Sequence, residues 1–375
     1  MAKRRANSEG SVFKRADGRW AASVSLGNRR RKSFYGRTRA EVARKLTVAL
    51  KARQDGLPIV GERQRLDEFL AHWLENSVRT SVRASTFRGY ESKLRMHVIP
   101  ELGRLPLAGL SPQALEAFFN RKVTEGLAPR TVQHLRAIIR AALNDALKWG
   151  LVARNTAALV DGPRVPHSEV QPPSPEEARA LLEAVRGQRL EALYTIALAA
   201  GLRQGEALGL RWADVDLDGG TVTVRAALQH SKGTGFELVE PKTRRSARTI
   251  GLPTVAVAAL RRHRARQAAD RLAAGPLWED SWGLVFTTLT GRPLQGPAVT
   301  RGFQQLLAAS GLRRQRFHDL RHGCASLLLS EGVHPRVVME TLGHSQIGLT
   351  MNLYSHVLPA LQREAAASMD KVLSG

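Results

Sequence analysis

The sequence predicts a multidomain α+β chain. A small three-stranded sheet with one helix comes first, then a helical bundle, then a mainly α domain holding a small antiparallel sheet. Three observations carry this. Near the start, apolar and polar residues alternate with a period of two, and a helix cap follows. From 61 to 163 the apolar residues recur at helical spacing. From 174 onward, helical segments enclose short β-branched runs bounded by glycine. The chain has 375 residues, enough for two or three domains.

Residues 1–60 read as the sheet and its helix. Asp17–Gly18 is a hairpin turn signal. After it, Trp20, Ala22, Val24 and Leu26 alternate with Ala21, Ser23 and Ser25. Gly27–Asn28 turns the chain again, and a third strand, Arg29 to Tyr35, is crowded with Arg29, Arg30, Arg31 and Lys32. Thr38 and Glu41 form a capping box for a helix reaching about Gln54.

Residues 61–163 read as a bundle of four helices. Leu66, Phe69, Leu70, Trp73 and Leu74 share one helical face. A second helix runs from Ser85 to about His97 and is expected to end before Ile99–Pro100. Ser111–Pro112 is an N-cap with proline at the first helical position. Leu135, Ile138, Ile139, Ala142, Leu143 and Ala146 line a long fourth helix. Residues 164–173 follow as a linker, marked by Pro166, Pro172 and Pro173 among charged and polar residues.

Residues 174–375 form the last domain. Ser174–Pro175–Glu176–Glu177 is another capping box. A helix from about Leu190 to Ala200 ends at Gly201, just before Arg203. Strands are expected at Thr221–Arg225, Phe236–Glu240 and Ala247–Ile250, with Pro241 to Ser246 as the turn between the last two. Helices at about 253–274 and 297–310 flank a short buried strand, Leu284–Phe286. His318 to Leu329 is helical, so His318 and Arg321 stand on one face. Pro335 to Leu342 is a helix ended by Gly343, which delivers His344. A short helix carries Tyr354, and an amphipathic tail helix spans Pro359 to Leu373.

Charge narrows the partners. Lys and Arg number 57 against 33 Asp and Glu, a formal +24, which suits a polyanion. The first 60 residues hold 16 basic and 4 acidic residues, marking a dedicated polyanion-binding unit. No apolar run approaches the ~20 residues of a membrane span, and the start lacks the apolar stretch of a signal peptide. A single cysteine, Cys324, excludes an internal disulfide and fits a reducing compartment, so the expected location is cytoplasmic. No phosphate-binding or dinucleotide glycine pattern is present, and no cofactor is expected.

The chemistry-bearing residues are permanent cations, imidazoles and one phenol. Arginine forks match phosphate oxygens in a bidentate way. A phenol can act as a covalent nucleophile once a base takes its proton. In a basic protein this set suggests phosphoryl transfer to a tyrosine on nucleic acid. His318 and His322 stand four apart, as zinc ligands can. The residue after His318 is Asp319 rather than glutamate, and no third ligand follows at a suggestive spacing, so no metal is expected. Alone, Tyr354 would read as an ordinary core or surface tyrosine, and Cys324 as a core residue.

Taken in order, Arg203, Lys242, His318 with Arg321, His344, and Tyr354 ten residues later resemble the tyrosine recombinases, the phage integrase family. Six positions in order over about 150 residues make this pattern specific. The resemblance implies an N-terminal arm-type DNA-binding domain (1–60), a core-binding SAM-like domain (61–163) and a catalytic domain (174–375). It implies site-specific recombination through a 3′-phosphotyrosyl intermediate, integrating or excising a mobile element without metal or ATP. Tyr354 would be the nucleophile, His318 the base, Arg203, Arg321 and His344 the phosphate ligands, and Lys242 the acid. Lys232 is the rival acid. Glu206 can orient Arg203, the plainer alternative being a surface ion pair. Arg29, Arg30, Arg31, Lys32, Arg244 and Arg245 are candidate DNA contacts. The implied partners are double-stranded attachment sites, three further copies in a tetramer on DNA, and a directionality factor. The rival functions are a type IB topoisomerase and a non-catalytic DNA-binding regulator.

Overall fold

The structure is a computed structural model. It describes residues 10–27, 30–54, 64–166, 172–231, 233, 235–240, 247–343, 366, 369, 370 and 372–374. The chain divides into two compact units, Met1–His167 and Ser168–Gly375.

In the first unit, β1 (Ser11–Lys14), β2 (Trp20–Gly27) and β3 (Arg30–Gly36) form an antiparallel sheet in that order. Gly18 takes the positive φ of 80° that the first turn requires. The period of two does what it predicts. Ala22 and Val24 are buried against Val42, Leu46 and Ala49 of α1 (Arg39–Gln54), with Val12, Trp20 and Phe34 packed beside them. Register sets the other face. Ser11, Ser23 and Ser33 form one row across it, and Phe13, Ala21 and Tyr35 the next. Arg31 pairs with Ser25 on this open face, whereas Lys32 pairs with Val24 in the row that faces α1.

The rest of this unit is helical, with α2 (Leu66–Trp73), α3 (Ala84–Lys93), α4 (Pro112–Thr124) and α5 (Pro129–Lys148). They bury a core of their own that includes Phe69, Trp73, Phe118, Leu135 and Ile138. Ser111 Oγ accepts from the Ala114 amide at 3.1 Å, the expected cap. One boundary differs from expectation. The helix does not end before Pro100. It passes through a π-helical turn, Leu94–Val98, and continues as Ile99–Leu102. Proline lacks an amide hydrogen and its ring clashes with the carbonyl four residues back. The wider turn just before it removes that conflict, with the Ile99 amide reaching the Leu94 carbonyl.

The second unit packs α6 (Pro175–Val185), α7 (Glu191–Ala199), the short α8 (Gln204–Leu208), α9 (Thr254–Ala274), α10 (Gly296–Ala309), α11 (Phe317–Ser330) and α12 (Pro335–Leu342). The Ser174 capping box is formed: Ser174 Oγ accepts from the Glu177 amide, and Glu177 Oε2 accepts from the Ser174 amide. α7 is buried on nearly all sides and forms the centre of the core.

The strands differ from the sequence expectation. β4 (Val215–Asp216), β5 (Thr221–Val224) and β8 (Arg248–Gly251) form one sheet in the order β4-β5-β8. β6 (Ala227–Ser231) and β7 (Gly235–Val239) pair separately. So the strands on either side of Lys242 do not pair with each other among the described residues. β6 escaped notice because Ala-Leu-Gln-His-Ser lacks the β-branched content of a strand. Leu284–Phe286 is buried as expected but belongs to no sheet, making one isolated bridge, Leu284 to Arg211, instead. Side chains satisfy its backbone: the Val285 carbonyl takes His263 Nε2 at 2.7 Å, and the Leu284 carbonyl takes Gln267 Nε2 at 3.1 Å.

Candidate active site

Four of the predicted site residues, Arg203, Glu206, His318 and Arg321, come together at the ends of three helices. α7 stops at Ala199, and Gly201 turns the chain with φ at 61°. A side chain at Gly201 would collide with Leu342 and crowd Cys324. Glycine is therefore needed both for the turn and for the close approach of α11 and α12. Leu202 is buried in the core, and Arg203 follows at the start of α8. The Arg203 amide donates to Glu206 Oε2 at 3.0 Å, and its Nη1 donates to Glu206 Oε1 at 2.6 Å. Glu206 is 5% exposed, so this is no surface pair. Arg203 itself remains 39% exposed.

Arg321 lies one turn into α11 and is 1% exposed. Its Nη1 donates to the Gly201 carbonyl at 2.7 Å and its Nη2 to the Leu342 carbonyl at 2.5 Å. Arg203 Nη2 donates to the Gly343 carbonyl at 3.4 Å. A third arginine, Arg248 at the start of β8, donates through Nε to the Thr341 carbonyl at 2.6 Å and through Nη2 to Glu206 Oε2 at 3.0 Å. The carbonyls of a helix's last turn have no partner within the helix. Here Thr341, Leu342 and Gly343 each meet a different guanidinium. Gly343 is left-handed, with φ at 66°, and ends α12 as expected.

The electrostatics favour an anionic guest. Burial opposes ionisation of Glu206, but Arg248 and Arg203 hold its carboxyl below the usual range. Three guanidiniums and one carboxylate leave an excess of positive charge. Burial, with Arg203 and Arg248 nearby, pushes Arg321 down to about 9, so it stays charged at neutral pH. Burial and then Arg321 lower His318, leaving its imidazole neutral and able to accept a proton. His322 stands perpendicular to His318 with ring centres 4.9 Å apart. Burial and His318 push His322 down to about 4.

Two other potential nucleophiles are shut away. Cys324 is 2% exposed and burial raises it to about 12. Tyr194 packs against Phe303 and Phe317, and burial raises it to about 12 as well. Asp319 Oδ2 accepts from the Arg316 amide at 2.7 Å, capping α11, and Arg316 holds its other oxygen. Among the described residues no group of three or more potential metal ligands gathers, at His318 and His322 or elsewhere. No described helix is long and apolar enough to cross a membrane.

Lys242, His344 and Tyr354 lie outside the described residues, as do Lys232, Arg29, Arg244, Arg245 and nearly all of the expected tail helix; Arg30 is described only as backbone. Arg248 is the residue that sequence reasoning missed. One signal could have found it: in the alternating strand it falls on the same face as buried Ile250, where an apolar residue is expected.

Residues 174–360 match the family model described as phage integrase family, and residues 65–123 match the phage integrase N-terminal SAM-like domain. A tyrosine recombinase XerC-like protein of Caldanaerobacter subterraneus is 30% identical over 357 residues, covering 91% of each chain. An integrase of Streptomyces ambofaciens is 30% identical, covering 99% of this chain and 98% of its own. The fold is shared with a fragment of the Tn1549 transposon integrase in complex with transposon right end DNA. That match has a TM-score of 0.71 at 22% identity and covers 83% of this chain and 100% of that one. It is shared more loosely with a lambda integrase dimer bound to a core site, at TM-score 0.59 and 17% identity, over 94% of this chain and 96% of that one.

Proposed function

The chain belongs to the phage integrase family and is a site-specific DNA recombinase, and from that premise we propose how its own residues cut and rejoin DNA. Tyr354 Oη attacks a backbone phosphorus, the bond to the 5′-oxygen breaks, and a 3′-phosphotyrosine and a free 5′-hydroxyl result. A phenol has a pKa near ~10, so it needs a base. His318, held neutral by burial and Arg321, takes the proton. Arg203 and Arg321 bind the non-bridging oxygens as charge builds, with His344 beside them. An arginine has five N–H donors, and two of those of Arg321 are engaged by Gly201 and Leu342. Nothing else among the described residues accepts from Arg321, so the other three can serve phosphate. Lys242 protonates the leaving 5′-oxygen. Rejoining reverses these steps, so the energy of the broken bond is kept in the phosphotyrosine.

The single observation that carries this reading is the cluster of Arg203, Arg321 and neutral His318 beside the end of α12, one residue before His344. The relatives are named recombinases and integrases, which does not favour a type IB topoisomerase or a non-catalytic regulator.

Around this centre we assign residues 1–60 as an arm-type DNA reader, 61–163 as the core-binding domain, 164–173 as linker and 174–375 as the catalytic domain. The reader would lay its open sheet face, with Ser11, Phe13, Ser23, Ser33, Tyr35 and Arg31, into a DNA groove. Lambda integrase is known as a tetramer bound to a Holliday junction. Two strand exchanges ask the same of this chain, four copies on two attachment sites, with a directionality factor choosing between integration and excision. A DNA substrate fits the expected cytoplasmic location.

The test is a nicked attachment-site duplex that traps the covalent intermediate on a denaturing gel. The parent protein should form an adduct, and Tyr354→Phe should bind the DNA but form none. Adduct persisting in the variant moves the nucleophile elsewhere. No adduct with the parent sinks the mechanism.

A further inference from the structure

We infer that Arg248 is a positioning residue for strand cleavage. It holds Arg203 and the end of α12 in register and ties both to the strand that follows the Lys242 segment. The inference rests on the recombinase reading above and concerns a residue to which that reading gives no role.

Arg248 is 7% exposed, whereas Arg203 is 39% exposed. The two share one carboxylate. Glu206 Oε1 takes Arg203 Nη1 and, at 3.5 Å, Arg248 Nη1, while Oε2 takes both the Arg203 amide and Arg248 Nη2. Arg248 therefore stands behind Glu206 and Arg203 in front. A buried carboxylate with one cation would hold that cation tightly. A second guanidinium on the same carboxylate divides the attraction and leaves Arg203 freer to meet a phosphate.

The other end of the fork points to the same role. Arg248 Nε donates to the Thr341 carbonyl, three residues before His344. A Cβ built on Gly343 would lie 3.0 Å from Arg248 Nη1, so the guanidinium also lies flat against the turn that ends α12. Through the backbone, Arg248 opens β8, paired with Val224, six residues after Lys242. One side chain thus links the strand after the proposed acid, the carboxylate that orients one phosphate ligand, and the helix end that delivers another.

A planar fork reaching two acceptors in different directions cannot be replaced by lysine, which keeps the charge but offers a point donor. The experiment compares Arg248→Gln and Arg248→Lys with the parent in three readouts: melting temperature, affinity for attachment-site DNA, and single-turnover cleavage of the nicked duplex at saturating protein. Misplaced catalytic groups slow the reaction without weakening binding. Arg248→Gln should cleave roughly a hundredfold more slowly, with DNA affinity within about threefold of the parent. Arg248→Lys should recover about tenfold of that loss, because charge on Glu206 is restored while the second direction is not. Cleavage by folded Arg248→Gln at the parental rate overturns the inference. So does a loss confined to affinity, which would make Arg248 a DNA contact. Should Arg248→Gln fail to fold, Arg248→Lys decides: a slow folded variant supports the role, and collapse of both makes Arg248 a folding residue and overturns it. A parent that forms no adduct overturns the recombinase mechanism itself, which is a separate outcome from a normal parent with a normal Arg248→Gln.

Discussion

Arg321 and Gly201, 120 residues apart in sequence, are joined by a 2.7 Å hydrogen bond from Nη1 to the carbonyl that immediately precedes Leu202 and Arg203. With its second bond to the Leu342 carbonyl, Arg321 ties the segment carrying Arg203 to the helix end before His344. The residue proposed to bind phosphate is therefore also the pin that assembles the site.

Two roles in one side chain predict a double loss. Arg321→Lys keeps a charge but can serve only one carbonyl well. It should lower unfolding free energy by about 1–3 kcal/mol, the cost of a buried unpaired carbonyl. Cleavage at saturating protein should fall by roughly two orders of magnitude or more. Denaturant melts and single-turnover cleavage measure the two losses separately. Parental stability in the variant would contradict the structural role.

The proposed acid is separable from the phosphate ligands by chemistry. A 5′-alkoxide is very basic and needs a proton as it leaves, whereas a thiol has a pKa near ~8.5. Lys242→Ala should cut normal DNA slowly, by roughly two orders of magnitude, and recover most of that on DNA with sulfur at the bridging 5′ position. Arg321→Ala should not recover. If Lys232→Ala is the variant rescued by sulfur, the acid is on the loop between β6 and β7 instead.

Removal of residues 1–60 should leave cleavage at a core site but abolish recombination between complete attachment sites. Binding of DNA by the isolated segment should weaken steeply with salt, because phosphate contacts release counterions. Substituting Tyr35 or Arg31 on the open sheet face should weaken that binding more than substituting Val12, which packs toward α1. Unchanged recombination by the truncated protein would remove the arm-domain assignment.

The buried histidines predict acid lability. An unfolded histidine takes its proton near pH ~6.5, while burial and His318 hold folded His322 down at about 4. Between those values the unfolded chain binds more protons, so acid favours unfolding. The stability His322 contributes is complete above pH ~6.5 and is lost as pH falls toward its folded value; at pH ~5 the loss is about 2 kcal/mol. Burial also lowers His318 and His263, which act in the same direction. Melting temperature should drop between pH 7 and pH 5, and less steeply in His322→Gln. A flat profile in the parent would refute this. Cleavage, which needs neutral His318, should stay level through neutral pH and decline only on the acid side.

Local features were legible in the sequence because local rules decide them. The caps at Ser111 and Ser174 need only a hydroxyl and an amide within three residues. The turn at Gly343 needs only a residue that tolerates positive φ. The placing of His318 and Arg321 on one face needs only a helical period. By itself, then, the sequence determined the fold class, these caps and turns, and the helix that carries His318 and Arg321. Only the tertiary structure decided that Arg248 joins them, since its partners lie 42 and 93 residues away and the strand's alternation marks at most an arginine on the buried face, not what it binds. It likewise decided that Glu206 is buried, that β7 pairs with β6 rather than with β8, that a helix passes through Pro100, and that Arg31 and Lys32 face opposite ways. Each of these depends on which distant backbone groups and charges are brought within a few ångströms, and that is fixed by packing and strand register rather than by neighbours in the chain.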